Sequence, residues 1–142
     1  LYDRHVAGGA DSLMALGLWG RFDSPLIGPD RVTPAMLAHW RAWADVAYRA
    51  VNADVGFVDV PITHLYHGEI QDRQYKTRWQ SLRQRGYDPG RHTELAPDGT
   101  LRWTAEAPAG LREWVREYLL VGRREHQGVL RAADDRRGHA VR

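Results

Sequence analysis

The chain has 142 residues, of which 43% are hydrophobic and 27% charged, with a formal net charge of +2. This composition is typical of one globular domain and excludes an intrinsically disordered chain. No apolar run is long enough to cross a bilayer. The absence of cysteine excludes disulfide frameworks and thiolate metal sites. Because a chain without cysteine suits a reducing compartment, we expect a cytoplasmic location.

The positive charge is unevenly placed along the chain. Residues 1–70 hold more acids than bases, the remainder is rich in arginine, and Lys76 is the one lysine. Guanidinium groups bind phosphate well, but an arginine bias also follows from genome base composition. The charge alone therefore does not assign a nucleic-acid partner.

The N-terminal part predicts a turn, a short helix and a loop. Gly8-Gly9 permits a tight turn, and Asp11 stands where a helix N-cap belongs. A helix from Ser12 to about Gly20 should follow. Residues 22–31 contain two prolines and a glycine and predict a loop.

The next segment predicts a long helix followed by a strand. Thr33-Pro34 is a cap followed by proline at the first helical position, and apolar residues recur at helical spacing up to Val51. Residues 52–54 should end this helix. The stretch from Val55 to Tyr66 is rich in β-branched and aromatic residues and predicts a strand that is interrupted or bent at Pro61.

A second amphipathic helix and a hairpin follow. The helix is predicted over Gln71 to Arg85, with Gly86 as its C-terminal stop. Between Thr93 and Trp103, two short alternating runs flank Pro97-Asp98-Gly99, which predicts a hairpin turn.

The last predicted element is a helix that begins at Pro108. One of its faces carries the apolar side chains Leu111, Trp114, Val115, Tyr118 and Leu119. Residues 123–142 turn to Arg, Asp, Gly and Ala and predict a flexible arginine-rich tail. The predicted fold is α+β and helix-rich, a single unit over residues 1–122 with a short strand region and a β-hairpin.

Asp11 has two interpretations. It is an ordinary helix cap, worth about 1 kcal/mol, or it is a carboxylate open to a substrate. In the second case it acts as a general base, a role worth about 10² to 10⁴ in rate. A carboxylate whose lone pairs are used in capping is a poor base, so the two roles compete.

Two histidines, His64 and His67, precede Gly68 at the end of the predicted strand. Residues three apart on a regular strand point to opposite faces, so both reach one ion only where the strand bends. Two imidazoles also need carboxylates from elsewhere to complete a metal site. A structural role and a metal role therefore both stay open.

Two arginines and the tryptophans also have both a structural and a functional interpretation. Arg73 and Arg78 are surface ion-pair partners, worth at most about 1 kcal/mol each, or they bind phosphate. Most of the six tryptophans should lie in the core. Trp19, close after the Asp11 turn, is the one we consider for stacking on a sugar ring.

The ordered motifs resemble a family. The run His64-Leu65-Tyr66-His67-Gly68, then Asp72-Arg73-Gln74-Tyr75 and Arg78-Trp79, is similar to GT-A-type glycosyltransferases of bacteria and phages, which are related to the β-1,4-galactosyltransferases. In those proteins a His-x-Trp-His-Gly strand end precedes Asp-Arg-x-Tyr, and a Gly-Gly-(Gly or Ala)-Asp turn stands upstream, as residues 8–11 do here. Residues 86–89, Gly-Tyr-Asp-Pro, resemble the family's Gly/Gln-Phe-Asp-Pro. The resemblance spans residues 1 to 105, with tyrosine at position 66 where tryptophan is usual.

The resemblance implies a metal-dependent inverting glycosyltransferase that moves a sugar from a nucleotide-sugar donor to the hydroxyl of a glycan or other acceptor. Asp11 matches the residue that deprotonates the acceptor. His67 matches the histidine that completes the divalent-ion site, usually Mn²⁺, for the donor diphosphate. Arg73 and Tyr75 would lie near the donor phosphates. The further substrate-binding candidates are Gly8, Gly9, Trp19, Gly68 and His64, the last with no assigned role.

The chain has no Asp-x-Asp motif and no nucleotide-binding βαβ half. The resemblance thus implies an acceptor-side, C-terminal fragment, inactive alone, on which a missing N-terminal half packs. One alternative is a nucleic-acid-binding module that uses the arginines with Tyr75, Trp79, Tyr87 and Trp103. It is less expected, because acids are interspersed and no nucleic-acid motif is present. A non-catalytic truncated remnant is the other alternative.

Overall fold

A computed structural model describes residues 1–52, 54–56, 58–63, 74–75 and 77–120. These residues combine helices with a two-stranded antiparallel sheet, so the fold is mixed α and β, as expected at this coarse level. The elements in chain order are α1 (Ala10–Leu18), a 3₁₀ turn (Pro25–Ile27), α2 (Pro34–Val51), α3 (Arg78–Gln84), α4 (Pro89–His92), β1 (Thr93–Leu95), β2 (Leu101–Trp103) and α5 (residues 109–120). No helix among the described residues is long and apolar enough to cross a membrane.

Helix α1 packs closely on α2. The indole Nε1 of Trp40 donates a hydrogen bond to the carbonyl of Leu13 at 3.0 Å. A Cβ on Gly17 would lie 2.7 Å from the Trp43 ring and 3.0 Å from the Cβ of Ala44. Only glycine at position 17 therefore allows the two helices to approach this closely.

Helix α2 begins and ends as the sequence predicts. The Thr33 hydroxyl accepts the Met36 N–H at 3.0 Å, and Pro34 occupies the first turn. Asn52 adopts a left-handed φ of 48° and donates its N–H to the Tyr48 carbonyl at 2.8 Å. The sequence therefore contains both boundary signals of this helix.

The predicted strand from Val55 to Tyr66 is wrong for residues 55–56 and 58–63, none of which is in a strand. Val58 is 78% exposed and Ile62 86% exposed. β-Branched residues favour a strand only where a neighbouring strand and a packed face receive them, and no strand in the described part of the chain pairs with this segment. Residues 64–66 lie outside the described residues.

Helix α3 is shorter than the predicted helix over Gln71 to Arg85, because it begins at Arg78. Gln74 has a left-handed φ of 48°, which is incompatible with a continuous helix at that position. Its carbonyl instead accepts the N–H groups of Thr77 and Arg78, at 3.0 and 2.8 Å. Residues 71–73 and 76 lie outside the described residues.

The predicted glycine stop of α3 is confirmed. Gly86 has a φ of 63° and donates its N–H to the carbonyl of Arg83 at 2.9 Å, while Tyr87 donates to Leu82 at 3.0 Å. These two bonds form a Schellman motif, in which the left-handed residue satisfies the last helical carbonyls. The motif turns the chain so that Tyr87 enters the core, where it is fully buried.

The predicted hairpin is also confirmed. Thr93 pairs with Trp103 and Leu95 with Leu101. The Gly99 N–H donates to the Ala96 carbonyl at 2.9 Å, and Gly99 has a φ of 79°. Proline therefore starts the turn and glycine accepts the positive dihedral, as Pro97-Asp98-Gly99 predicts.

Helix α5 follows the hairpin and buries one of its faces. Pro108 precedes its first helical residue, and the Pro108 carbonyl accepts the Arg112 N–H at 3.1 Å. Leu111 and Val115 are buried as predicted, but Leu119 is 54% exposed. Leu119 belongs to the predicted apolar face, and its exposure shows that the described core does not cover this end of the helix. The arginine-rich tail, residues 123–142, lies outside the described residues.

The core gathers side chains from the N-terminal segment, α1, the 3₁₀ turn and the loop after it, α2, α3, the turn before α4, and α5. Its members are Tyr2, Ala7, Leu13, Ile27, Val32, Met36, Trp40, Ala44, Trp79, Leu82, Tyr87, Leu111 and Val115. The N-terminal residues Tyr2 and Ala7 are thus part of the core.

Candidate functional site

The glycine turn packs against the start of α3, which brings together two motifs that are distant along the chain. The indole Nε1 of Trp79 donates to the carbonyl of Gly8 at 3.3 Å, across 71 positions of sequence. A Cβ on Gly9 would lie 2.9 Å from Nη2 of Arg78 and 3.0 Å from the Trp79 ring. Gly8 and Gly9 have φ values of 73° and 93°. Glycine is required here both by the positive dihedrals and by the close approach.

Asp11 lies immediately after this turn and is not a helix cap. The N-cap of α1 is Gly9, and no side chain caps the helix. Asp11 is the second residue of α1 and is exposed. The interpretation of Asp11 as an N-cap is therefore wrong, because the helix begins two residues earlier than its sequence pattern suggests. Its carboxylate is not occupied by capping and faces solvent.

His5 is buried beside the same turn. Its side chain is 8% exposed, and its ring centroid lies 5.1 Å from that of Trp79. Neither ring nitrogen has a hydrogen-bond partner among the described residues. Burial, followed by the nearby charge of Arg78, lowers the pKa of His5 to about 4, and Asp11 opposes this shift. His5 is therefore neutral at pH 7.

Arg78 lies at the centre of this group. Its guanidinium stands over the Tyr75 ring at 4.6 Å, and its Nη1 donates to the Tyr118 hydroxyl at 3.4 Å. Its Nε is buried and has no partner in the part of the chain that the structure describes. No salt bridge joins Arg78 to a carboxylate of a described residue. Aromatic rings and a glycine turn therefore surround a positive charge that forms no ion pair with a carboxylate of the described residues.

Several of the sequence-predicted residues do not meet here. Trp19 is 58% exposed, but it lies at the far end of α1, about 12 Å along the helix from Asp11. Tyr75 is 44% exposed and contacts Arg78 through its ring. His64, His67, Gly68 and Arg73 lie outside the described residues.

The metal prediction depends on residues that the structure does not describe. Within the described ranges, no group of three or more His, Cys, Asp or Glu side chains is placed to hold a metal ion. The predicted Mn²⁺ site at His67 stays a prediction.

Sequence reasoning did not single out His5 or Tyr118 as members of the site. His5 precedes the glycine turn by only three residues, which is the one signal that could have drawn attention to it. The sequence predicts Tyr118 only as a member of the apolar face of the last helix. In the structure its hydroxyl accepts a hydrogen bond from Arg78.

The rings invoked for nucleic-acid stacking are mostly not available for it. Trp79 and Tyr87 lie in the core, at 5% and 0% exposure. Trp103 is half-buried on the hairpin. Because a base stacks on an accessible ring face, Tyr75 is the only one of the four that is exposed in the described part of the chain.

Comparisons with protein-family models, curated proteins and solved structures found no match to this chain.

Proposed function

We propose that this chain is the acceptor-side part of a metal-dependent, inverting glycosyltransferase with a GT-A-like fold. The observation that carries the proposal is the exposed Asp11 carboxylate, held at the end of a glycine turn that packs on Arg78-Trp79. The resemblance includes both of these motifs, residues 8–11 and 78–79. The two motifs are distant in sequence but contact each other in the fold, which supports assigning them to one site.

Asp11 is proposed to act as the general base. Its carboxylate accepts the proton of the acceptor hydroxyl while that oxygen forms a bond to the anomeric carbon of the donor sugar. The bond from this carbon to the diphosphate breaks, and the electron pair leaves with the diphosphate. An exposed carboxylate not committed to capping suits this role, because the acceptor must reach it.

The negative charge grows on the leaving diphosphate. We propose that a bound divalent ion, Mn²⁺, would neutralise that charge. His67 is proposed as one of its ligands, and carboxylates outside the described residues as others. The nucleotide-binding half is proposed to come from outside this chain.

The remaining predicted residues are proposed to bind substrate. Gly8 and Gly9 shape the turn that presents Asp11, and the partly exposed Tyr75 ring packs on the Arg78 guanidinium. Trp19 is exposed but distant from Asp11, which suits an extended acceptor better than a single sugar. Roles for His64, Gly68 and Arg73 follow from the resemblance.

The test is a calorimetric titration of Mn²⁺ and UDP into the full-length protein and two variants. We expect His67→Ala to weaken Mn²⁺ binding by about tenfold or more, since it removes a ligand. Asp11→Asn should leave the affinities for Mn²⁺ and UDP unchanged, because Asp11 acts on the acceptor. Transfer measured as UDP release should fall by about 10² to 10⁴ in Asp11→Asn.

The matched control for Asp11 is Asp23→Asn, since Asp23 is also exposed but lies in the loop after α1. It should leave transfer unchanged. Equal Mn²⁺ affinity in the wild type and His67→Ala would remove His67 from the site. Undiminished transfer in Asp11→Asn would remove the base.

A further inference from the structure

We infer that Arg78, held between Tyr75, Tyr118 and the Gly8-Gly9 turn, is an anion-binding residue that takes the diphosphate of a nucleotide. The identification of the anion as a nucleotide diphosphate rests on the proposed function. The anion-binding role itself rests on the contacts of Arg78.

The first argument is charge. A guanidinium that is half-buried is costly unless it is paired. Across residues 1–52, 54–56, 58–63, 74–75 and 77–120, no carboxylate forms a salt bridge with Arg78. The Tyr75 ring face at 4.6 Å compensates the charge only in part. An anion would complete the compensation.

The second argument is preorganisation. The aromatic face, the Tyr118 hydroxyl at 3.4 Å and the glycine turn fix the plane and direction of the guanidinium. A Cβ at position 8 or 9 would stand 3.1 or 2.9 Å from its terminal nitrogens, so the turn approaches Arg78 with no side chain between them. A fixed planar fork recognises phosphate oxygens through paired hydrogen bonds.

The third argument is His5, whose buried ring nitrogens lack partners among the described residues. Burial and the charge of Arg78 lower its pKa to about 4, so that at pH 7 it adds no second positive charge. A neutral imidazole can offer one N–H donor and one acceptor. It therefore supplies hydrogen-bonding capacity near the charge of Arg78.

The ligand class follows from this chemistry. A guanidinium held beside a glycine turn suits a compact anion with several oxygens. A diphosphate supplies such oxygens, and its sugar would extend toward Asp11. Uridine alone lacks the charge that the guanidinium would recognise.

The experiment measures binding of pyrophosphate, UDP, inorganic phosphate and uridine to the protein by calorimetry, without metal and at low salt. We expect pyrophosphate and UDP to bind and uridine not to bind. Arg78→Gln should weaken pyrophosphate binding by about tenfold or more, the loss of charge-assisted hydrogen bonds. Arg78→Lys should also weaken it, because lysine keeps the charge but loses the planar fork.

The matched control is Arg83→Gln. Arg83 lies on the same helix and is exposed, and its Nε donates to the Pro29 carbonyl at 3.0 Å. It should bind pyrophosphate as the wild type does. Equal affinity in the wild type and Arg78→Gln, or equal losses in Arg78→Gln and Arg83→Gln, would overturn the inference. If Arg78→Gln fails to fold by circular dichroism, Arg78→Lys decides, and its unchanged affinity would overturn the inference.

The outcomes also separate this inference from the proposed function. Pyrophosphate binding that depends on Arg78, with Mn²⁺ affinity indifferent to His67, would keep the inference and remove the metal site. Mn²⁺ binding that depends on His67, with pyrophosphate binding unchanged in Arg78→Gln, would support the metal site and overturn the inference about Arg78. Inorganic phosphate that binds as tightly as pyrophosphate and UDP would overturn the assignment to a diphosphate.

Discussion

His5 shows how one buried ring responds to its surroundings. Its imidazole packs on Trp79 and feels the positive charge of Arg78 and the negative charge of Asp11. Burial and Arg78 together outweigh Asp11, so the pKa of His5 falls from 6.5 to about 4. Between pH 6.5 and about 4, His5 therefore stays neutral in the folded protein but is protonated in the unfolded chain.

This pKa shift predicts a pH dependence of stability. Above pH 6.5 His5 is neutral in both states and its effect is constant. Between 6.5 and about 4 the unfolded chain binds a proton that the folded chain does not, so the free energy of unfolding falls as pH falls. The loss reaches about 3 kcal/mol by pH 4.

The variant that tests this is His5→Phe, which keeps a ring against Trp79 but cannot titrate. Urea unfolding of both proteins at pH 7.5 and pH 4.5 measures the difference. Contributions from carboxylates and from His39, whose pKa is also lowered by burial, are common to both and cancel. Identical acid losses in the two proteins would contradict the shift.

At the scale of elements, one side chain makes two hydrogen bonds at the start of α2. The Thr33 hydroxyl accepts the Met36 N–H at 3.0 Å and donates to the Tyr87 carbonyl at 2.6 Å. The first bond caps α2, and the second ties it to Tyr87, which lies between α3 and α4. One side chain thus fixes the start of α2 and joins it to the segment between α3 and α4.

Thr33→Ala should therefore destabilise the protein by about 2 kcal/mol, because it removes a cap and leaves a buried carbonyl unpaired. Thr33→Ser keeps both bonds and should recover most of the loss. The control is Ser24→Ala at the 3₁₀ turn, whose hydroxyl accepts the exposed Leu26 N–H at 3.3 Å and makes no other hydrogen bond to a described residue. Urea unfolding measures all three, and equal losses in Thr33→Ala and Ser24→Ala would contradict the prediction.

At the scale of the whole molecule, the N-terminal segment joins parts that are distant in sequence. The Tyr87 hydroxyl donates to the Arg4 carbonyl at 2.6 Å, and Arg4 donates to the Thr93 carbonyl at 3.0 Å. Trp79 donates to Gly8 at 3.3 Å. Residues 4–8 are therefore bound to α3, to the turn after it and to the first hairpin strand.

Tyr87→Phe should lower the free energy of unfolding by about 1 to 2 kcal/mol, because the Arg4 carbonyl loses its buried donor. Burial raises the pKa of Tyr87 to about 12, so its hydroxyl remains a donor across the neutral range. Tyr48→Phe is the control, since the Tyr48 ring packs on Phe22 and its hydroxyl makes no hydrogen bond to a described residue. An equal effect of the two substitutions would show that the Tyr87 bond is not the cause.

Local chemistry explains which elements could be predicted. The cap at Thr33, the stop at Gly86 and the turn at Pro97-Asp98-Gly99 depend on residues adjacent in sequence, and the structure confirms all three. The strand at Val55 was wrong over its described part because strand propensity needs a partner that lies elsewhere. Gln74 likewise interrupts a helix that spacing alone would continue.

The candidate site also has features that local sequence predicts and features that depend on tertiary contacts. The sequence alone indicates Gly8-Gly9, Asp11 and Arg78 as candidate functional residues, because a glycine pair, a carboxylate and a guanidinium each have few roles in proteins. The tertiary structure leaves Asp11 exposed and brings Arg78 to the glycine turn near His5. Burial and charge pairing depend on contacts across 71 positions of chain, and such contacts exist only once the molecule has folded.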